Sequence, residues 1–217
     1  MVPASTIDAV TLILQTIISK KESCQLVQVG ACDGALNDPV SKLIRENNIS
    51  SILIEPIPAS FAELKKNYLG VENAKLCNAA ISNQSGVVQI YTTKMAFDEL
   101  GRQISQVSSF NKNHLLKHHI REKDIISIEV EALTLEDVIK RYAIDKIDVL
   151  QIDAEGFDDE IVKCALCLKI KPKCIAFENI HLSQEKQITV LSQAKDLGYS
   201  WIHDKWNTVL VDASVIE

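Results

Sequence analysis

The strongest constraint on the fold is an alternation of two patterns that begins at residue 24. Apolar runs of strand length, such as CQLVQVG at 24–30, precede segments with apolar residues at helical spacing, such as PASFAELKKNY at 58–68. Continuous apolar strands that alternate with amphipathic helices are typical of a mostly parallel sheet with helices on both faces. Two consecutive strand-like runs, YSWIHD and NTVLVDA, predict an antiparallel strand at one edge. The pattern therefore predicts an α/β fold.

Neither an internal repeat nor a low-complexity tract divides the chain, so residues 1–217 are predicted to form a single domain. Residues 1–23 predict an N-terminal amphipathic helix capped by Ser5 or Thr6, because a signal peptide would need a basic start and a small-residue cleavage site. Residues 95–126 interrupt the alternation: they are polar and carry three of the five histidines. We expect an insertion that forms a lid or acceptor region, with a solvated surface helix as the alternative.

Composition narrows the classes of partner. The net charge of −6 argues against nucleic acid or an acidic membrane surface, and no apolar run is long enough to span a bilayer. The six cysteines lie mostly in apolar runs, and the pair Cys164 and Cys167 is expected on the apolar face of a helix. These features predict a cytoplasmic protein with reduced cysteines, without a nucleic-acid or membrane partner.

The loop after the first strand, GACDG at 30–34, is the expected ligand site, because ligands bind beyond the carboxyl ends of parallel strands. A dinucleotide fingerprint would need G-x-G-x-x-G, and a P-loop would need G-x-x-x-x-G-K-[ST]. Neither pattern is present. The two glycines fit a loop that lets a ligand approach the backbone, and they fit equally well a tight turn without any ligand.

The next two strand ends favour a nucleoside. Glu55 ends the run SILIE, where its carboxylate can accept hydrogen bonds from both hydroxyls of a ribose. Asn78 ends the following run beside Ala79 and Ala80, whose small side chains leave room for an adenine ring that the amide can bind. A solvated strand end is the alternative for Glu55.

Six segments together resemble the FkbM-type methyltransferases that depend on S-adenosylmethionine. They are VQVGACDG, LIEPIPASFAELKKN, CNAAIS, LTLEDVI, IDVLQIDAEGFDDEIV and IAFEN, within residues 24–212. The resemblance implies a Rossmann-like class I methyltransferase fold and O-methylation of a hydroxyl on a small molecule, a glycan or a natural-product intermediate, either free or tethered to a carrier. A non-catalytic cofactor-binding or scaffold domain of the same fold is the alternative.

The resemblance also implies roles for residues. Gly30 and Gly34 would flank the methionine part of the cofactor, Glu55 would hold the ribose, and Asn78 with Ala79 would lie by the adenine. Gln28 stands where many methyltransferases have an acid, and its carbonyl could accept a hydrogen bond from the cofactor's amino group without charge assistance. The complete predicted cofactor-binding set is Gln28, Gly30, Ala31, Asp33, Gly34, Glu55, Pro56, Asn78, Ala79 and Asp153.

Catalytic groups are expected at the ends of the fourth and fifth core strands, VLQIDAEG and CIAFENIH. Asp153, Glu178 and Asn179 are hard oxygen ligands, and their arrangement resembles the Mg²⁺ site of catechol-type O-methyltransferases. Mg²⁺ or another divalent ion there would bind the acceptor oxygen and lower its pKa. The catechol enzymes have a lysine where this chain has Gly156.

A metal-free alternative uses a histidine as general base, since its ordinary pKa suits that role. His181 is the first candidate, His203 the second, and the cluster His114, His118 and His119 the third. The spacing of the cluster could place two ligands on one helix face, but the sequence shows no third ligand. The predicted catalytic set is therefore Asp153, His181 and Glu178.

Overall fold

The computed structural model describes residues 9–19, 23–36, 38, 40–47, 49–93 and 107–216. The strands are β1 (Gln25–Val29), β2 (Ser50–Ile54), β3 (Ala74–Cys77), β4 (Ala80–Ile81), β5 (Gly86–Thr93), β6 (Ile125–Leu133), β7 (Val149–Ile152), β8 (Cys174–Glu178), β9 (Tyr199–His203) and β10 (Asn207–Asp212). The helices are α1 (Ala9–Ser19), α2 (Ser41–Glu46), α3 (Pro58–Asn67), α4 (Lys112–Lys117), α5 (Leu135–Tyr142), α6 (Asp158–Cys167), α7 (Gln184–Asp196) and α8 (Ala213–Ile216), and a 3₁₀ turn covers Glu122–Asp124.

The main sheet has seven strands in the order β3-β2-β1-β7-β8-β10-β9. The first five run parallel, while β10 is antiparallel to both of its neighbours, β8 and β9. The predicted mostly parallel sheet is confirmed, and its antiparallel strand lies one place in from the edge. The strand order reverses at β1, which has β2 on one side and β7 on the other. The carboxyl ends of these three strands therefore form the crevice where ligands bind in such folds.

Two apolar layers cover the sheet. On one face, Leu14 of α1, Ile44 of α2 and Leu64 of α3 pack in a cluster with strand residues such as Leu53. On the other face, α5, α6 and α7 pack against a second cluster that includes Leu150 and Phe177. The core strands β1, β7 and β8 are buried over nearly their whole length, which explains their mostly apolar sequences.

Local signals set several helix starts. Pro58 opens α3, where the missing N–H of proline costs no hydrogen bond. Thr134 and Asp137 form a reciprocal capping box at the start of α5. The Ser183 side chain accepts from the Lys186 N–H at the start of α7.

A second, three-stranded sheet in the order β4-β6-β5 is a feature that the sequence reading did not predict. The run AKLCNAAIS, predicted as one strand, is two: β3 belongs to the main sheet, and β4 leaves it after Asn78 to pair with β6. Strand β6 begins at Ile125, so the last two residues of the predicted 95–126 insertion belong to this sheet.

Some predictions fall partly outside the described residues. The predicted N-terminal helix is present as α1, whereas its proposed caps Ser5 and Thr6 lie outside the described part, as do residues 95–106 of the insertion. Cys164 is half-buried on α6, but Cys167 is exposed at the last residue of that helix, so its predicted core position is wrong. Among the described helices, none has the length and apolar character needed to cross a membrane.

Candidate functional site

The loop after β1 passes too close to β7 for any side chain at its first position. Gly30 has a φ of +79°, and a Cβ there would lie 1.8 Å from the backbone oxygen of Asp153. The N–H groups of Gly30 and Ala31 both donate to the carbonyl of Ile54, at 2.9 and 3.0 Å. Glycine at position 30 therefore lets the loop join the ends of β1, β2 and β7.

The second glycine of the loop serves helix packing. Gly34 has a φ of +63°, and a Cβ there would lie 2.4 Å from Leu64 and 2.5 Å from Tyr68 on the α3 side. The Asp33 carboxylate accepts from the N–H groups of Ala35 and Leu36, both at 3.0 Å. Asp33 and Gly34 thus shape the loop from the side away from the crevice.

Glu55, directly after β2, is buried and holds the same loop. Its Oε2 accepts from the N–H of Cys32 at 2.9 Å, and its Oε1 accepts from the N–H of Ile57 at 2.8 Å. Burial raises the pKa of Glu55 to about 7; these two hydrogen bonds oppose the shift and the Asp33 carboxylate adds to it. A carboxylate oxygen has two lone pairs, so each oxygen retains room for a further donor.

Asn78 does not face the crevice. Its side chain is exposed, and its Nδ2 donates to the backbone oxygens of Glu55 at 2.8 Å and Pro56 at 3.1 Å. The residue therefore fixes the end of β2 against the end of β3. The neighbouring Ala79 and Ala80 are buried and line the crevice.

The crevice forms a cavity lined by the ends of β1, β2 and β7, by β4 and β5, and by the described part of the insertion. Of the sequence-predicted site residues, seven line it: Gln28, Gly30, Ala31, Glu55, Pro56, Ala79 and Asp153. Six do not: Asp33, Gly34, Asn78, Glu178, Asn179 and His181. The other lining residues are Val29, Cys32, Leu36, Asp38, Ala80, Ile81, Ile90, Ser108, Ser109, Phe110, Gln151, Ala154, Glu155 and Ile161.

Three buried oxygen atoms of this lining have no hydrogen-bond partner among the residues that the structure describes: Oε1 of Gln28, Oε1 of Gln151 and Oδ2 of Asp38. Gln28 and Gln151 are register partners on the adjacent strands β1 and β7. Buried polar atoms are normally paired, so these three acceptors point to a ligand that carries donors.

Sequence reasoning missed Gln151 and Asp38. The signal for Gln151 is a polar residue inside an apolar strand, VLQI, which repeats the pattern of Gln28 in QLVQV. Asp38 follows the glycine loop by four residues, and its Oδ1 accepts from the N–H groups of Val40 and Ser41 at the start of α2. Burial raises the pKa of Asp38. The hydrogen bonds from these two N–H groups and from the Gln28 amide oppose this rise.

Carboxylates concentrate where β7 and β8 end. Asp153 is enclosed by the protein but exposed to the cavity, and burial followed by the charges of Glu155, Asp158 and Glu178 raises its pKa well above the ordinary value. Burial, with the charges of Glu155 and Asp158, raises the pKa of Glu178 to about 8. The acids mutually oppose ionisation, so this end of the cavity favours a cationic ligand.

Three histidines converge on the same end. His114, buried on α4, lies with its Nε2 2.8 Å from Oε2 of Glu155, and the His181 Nε2 lies 3.3 Å from Oε2 of Glu178. The ring centroid of His114 is 4.7 Å from that of His118 and 4.6 Å from that of His181. Burial lowers the pKa values of His118 and His181, and the neighbouring His114 adds to both shifts.

The described part of the insertion packs onto the loop after β7. Ser109 exchanges two backbone hydrogen bonds with Tyr91 of β5, and its hydroxyl donates to the backbone oxygen of Glu155 at 2.8 Å. The rings of Phe110 and Phe157 lie 4.7 Å apart. Glu155 itself has a φ of +48°, a left-handed conformation that is costly for a side chain other than glycine.

The remaining candidates lie elsewhere. The buried Asn179 amide donates to Oγ1 of Thr208 in β10 at 3.0 Å, and Asn179 does not line the cavity. His119 and His203 are exposed, and neither lines the cavity. Gly156, which stands at the lysine position of the catechol enzymes, has a φ of +93°, and a Cβ there would lie 3.3 Å from Nδ1 of His114. A side chain at position 156 would therefore press on the histidines.

Comparisons with known proteins identify a family and a fold. The family model of the methyltransferase FkbM domain matches residues 28–206. The crystal structure of methyltransferase FkbM from Methylobacillus flagellatus KT is similar with a TM-score of 0.52 at 16% identity, over 87% of this chain and 43% of that one. The N-terminal domain of human METTL16 in complex with SAH is similar with a TM-score of 0.50 at 11% identity, over 93% of this chain and 68% of that one.

At these identities the structural likeness shows the fold, which is that of class I Rossmann-like methyltransferases. The chain spans less than half the length of the first of these structures. No curated protein matches the chain significantly.

Proposed function

Because the chain belongs to the FkbM family of methyltransferases, we propose that it transfers a methyl group from S-adenosylmethionine to a hydroxyl oxygen. Membership of the family supports methyl transfer and implies S-adenosylmethionine as the methyl donor. We propose in addition that the methyl group goes to a hydroxyl oxygen, and we assign individual residues to that reaction. The observation that supports it most is the cavity at the switch point, whose lining combines buried acceptor oxygens that have no partner among the described residues with the carboxylates of Glu55 and Asp153.

The residues of the cavity fit the cofactor. Gln28, Gln151 and Asp38 offer three unpaired acceptor oxygens, which suit the ammonium group of the methionine part. Asp38 would supply the charge that Gln28 lacks.

Glu55 is placed to accept from the ribose hydroxyls. The small residues Ala79 and Ala80 leave room for the adenine. In this assignment Asn78, Asp33 and Gly34 act indirectly, because they fix the backbone around the cofactor site. Gly30, Ala31 and Pro56 form the walls of that site.

Bound S-adenosylmethionine would supply a sulfonium-activated methyl group. The side chains must then orient the acceptor hydroxyl and accept its proton. The pKa of Asp153 is raised and that of Glu178 is raised to about 8, so each group in its ionised form is a stronger base than an ordinary carboxylate. The Nε2 of His181 lies 3.3 Å from Oε2 of Glu178.

The acceptor that this account favours is a hydroxylated small molecule, a glycan or a carrier-tethered intermediate. The net charge of −6 and the carboxylates around Asp153 disfavour a polyanionic substrate such as RNA. The predicted cytoplasmic location stays a prediction.

Transfer of a labelled methyl group from S-adenosylmethionine tests the proposal on a panel of sugars, polyketides, phenols and RNA. We expect label on an oxygen of one hydroxylated class. Asp153→Asn should lower turnover at least about 100-fold, the scale of a lost proton acceptor, while S-adenosylhomocysteine affinity changes little. Asp145→Asn, at an exposed site, is the matched control. Label on a nitrogen of RNA would overturn the oxygen assignment, and cofactor binding without turnover on any acceptor would favour the scaffold alternative.

A further inference from the structure

Four side chains beside the cavity form a set of metal donors. His114, His118, Glu155 and His181 each offer one ligand atom, and these four atoms lie within 4.8 Å of one another. The set combines two residues of one sequence motif, H-x₃-H, with two residues more than thirty positions further along the chain. Only the fold brings the third and fourth donors to the first two.

Each donor comes from an element that fixes its position. His114 and His118 are four residues apart at α4, so they share one face of that helix. Glu155 follows β7 and is held by the Ser109 hydroxyl through its backbone oxygen. His181 follows β8, the next strand of the sheet. The set therefore joins the described part of the insertion to two adjacent strand ends.

The spacing suits coordination. A tetrahedral Zn²⁺ ion with bonds of about 2.0–2.1 Å holds its ligand atoms about 3.3 Å apart. Separations of up to 4.8 Å close to that value with shifts of about an ångström or less, and three of the four side chains, all except the buried His114, are accessible enough to permit such shifts. Glu178 adds a further carboxylate beside the set, with its Oε2 3.3 Å from Nε2 of His181.

The surrounding charge also favours a cation. The carboxyl groups of Asp153, Asp158 and Glu178 lie near enough to Glu155 to interact with its charge, so the surroundings of the set are acidic. Three imidazoles and one carboxylate are donors that Zn²⁺, Co²⁺ or Fe²⁺ prefer, whereas Mg²⁺ prefers oxygen alone. The donors that the structure groups thus differ from the predicted oxygen set of Asp153, Glu178 and Asn179.

We propose that His114, His118, Glu155 and His181 bind one divalent transition-metal ion of the Zn²⁺ type. Glu155 also lines the cavity, so the ion would lie beside the part of the cavity where the methyl acceptor is proposed to bind. A role in holding the acceptor hydroxyl and lowering its pKa rests on the proposed function. The metal site itself does not.

Metal binding to the full-length chain tests the site without any acceptor. After dialysis against a chelator, Zn²⁺ is titrated in competition with a chromophoric indicator, and Co²⁺ is followed by visible absorption. We expect one ion per chain. His118→Asn and His181→Gln, at partly accessible positions, should each lower the affinity at least about tenfold, and together they should abolish stoichiometric binding.

His119→Asn is the matched control, because it removes the neighbouring exposed histidine and keeps a residue that tolerates its φ of +61°. This variant should bind Zn²⁺ like the wild type. Thermal unfolding of the metal-free proteins shows whether each variant is folded.

A measurement on the unsubstituted chain tests the site even if a variant fails to fold. With ¹⁵N-labelled histidine, three of the five imidazoles should shift on Zn²⁺ addition. Absence of stoichiometric binding would overturn the proposal, as would binding that the double variant retains or that leaves the imidazole signals unchanged, since other residues would then hold the ion. S-adenosylhomocysteine binding by the metal-free protein is measured separately, and its loss would count against the proposed function alone.

Discussion

Glu55 acts on both the protein and the ligand. Its two oxygens hold the N–H groups of Cys32 and Ile57, and the proposed function adds two ribose hydroxyls to the same carboxylate. Glu55→Ala should therefore weaken S-adenosylhomocysteine binding by about 1–3 kcal/mol, the range for lost charge-assisted hydrogen bonds. Calorimetric titration measures the change. Glu63→Ala, on α3, is the control and should leave the affinity as it is; unchanged affinity in Glu55→Ala would refute the ribose assignment.

The raised pKa of Glu55 predicts a pH dependence of binding. In the folded protein burial raises this pKa from the ordinary 4.5 to about 7, with Asp33 adding to the shift and Asp153 and the Cys32 thiol lying near. Between these two values the folded state keeps a proton that the unfolded state loses, so this group's contribution to stability falls as pH rises.

Ribose hydroxyls donate best to the ionised carboxylate, so ligand binding should improve as pH rises through 7. The ionised fraction of such a group increases about tenfold between pH 6 and 8, and the affinity for S-adenosylhomocysteine should follow it. Titrations at both pH values measure this slope. The slope should vanish in Glu55→Ala; a slope that persists in that variant would assign the effect to another group.

A comparison of alanine substitutions at Gly30 and Gly70 distinguishes the cost of backbone strain from the cost of a steric clash. Both have positive φ, +79° and +84°, but a Cβ at Gly30 would meet the Asp153 carbonyl at 1.8 Å, whereas a Cβ at Gly70 meets nothing within 4 Å. Gly70→Ala should cost about 1–2 kcal/mol of unfolding free energy, the left-handed penalty alone.

Gly30→Ala should cost at least about 3 kcal/mol and abolish S-adenosylhomocysteine binding, because the loop must move away from β7. Denaturant unfolding of both variants gives the comparison. Equal costs would mean that the contact between the loop and β7 is not as close as described.

At the scale of elements, the described part of the insertion depends on its contact with the loop after β7. Phe110→Ala removes the ring contact with Phe157, which is worth about 0.5–1.5 kcal/mol. Amide exchange across residues 107–120 should become faster, and methyl transfer should fall more than S-adenosylhomocysteine affinity.

Phe61→Ala is the matched control, since it removes a half-buried ring on α3, in the other apolar layer. It should lower stability without changing exchange at 107–120. If Phe110→Ala leaves that exchange unchanged, the segment is held by other contacts. The interpretation of residues 95–126 as an acceptor lid stays a prediction, since residues 95–106 lie outside the described part of the chain.

The sequence was informative for elements buried on both faces. Strands β1, β2, β7 and β8 were predicted because most of their positions are apolar and buried, which leaves little choice of structure. The small second sheet was not predicted, because β4 has only two residues and follows β3 after a two-residue break. Periodicity cannot show that a chain changes sheet at such a break.

The lining of the cavity was predictable where one strand end carries the signal, as at Gly30, Glu55 and Asp153. A group of side chains from distant parts of the chain was not predictable. His114 and His118 showed a spacing without a third ligand, and only the packing of α4 against the ends of β7 and β8 brings Glu155 and His181 to them. Tertiary contacts of this kind leave no local pattern.

For the whole molecule, the central proposal is that the cavity at the reversal of strand order holds a nucleoside cofactor. Calorimetric titration of the unsubstituted chain tests this most directly, with S-adenosylhomocysteine and NAD as the two ligands. The account predicts stoichiometric binding of S-adenosylhomocysteine and no heat of binding with NAD. Binding of NAD, or no binding of S-adenosylhomocysteine, would contradict it.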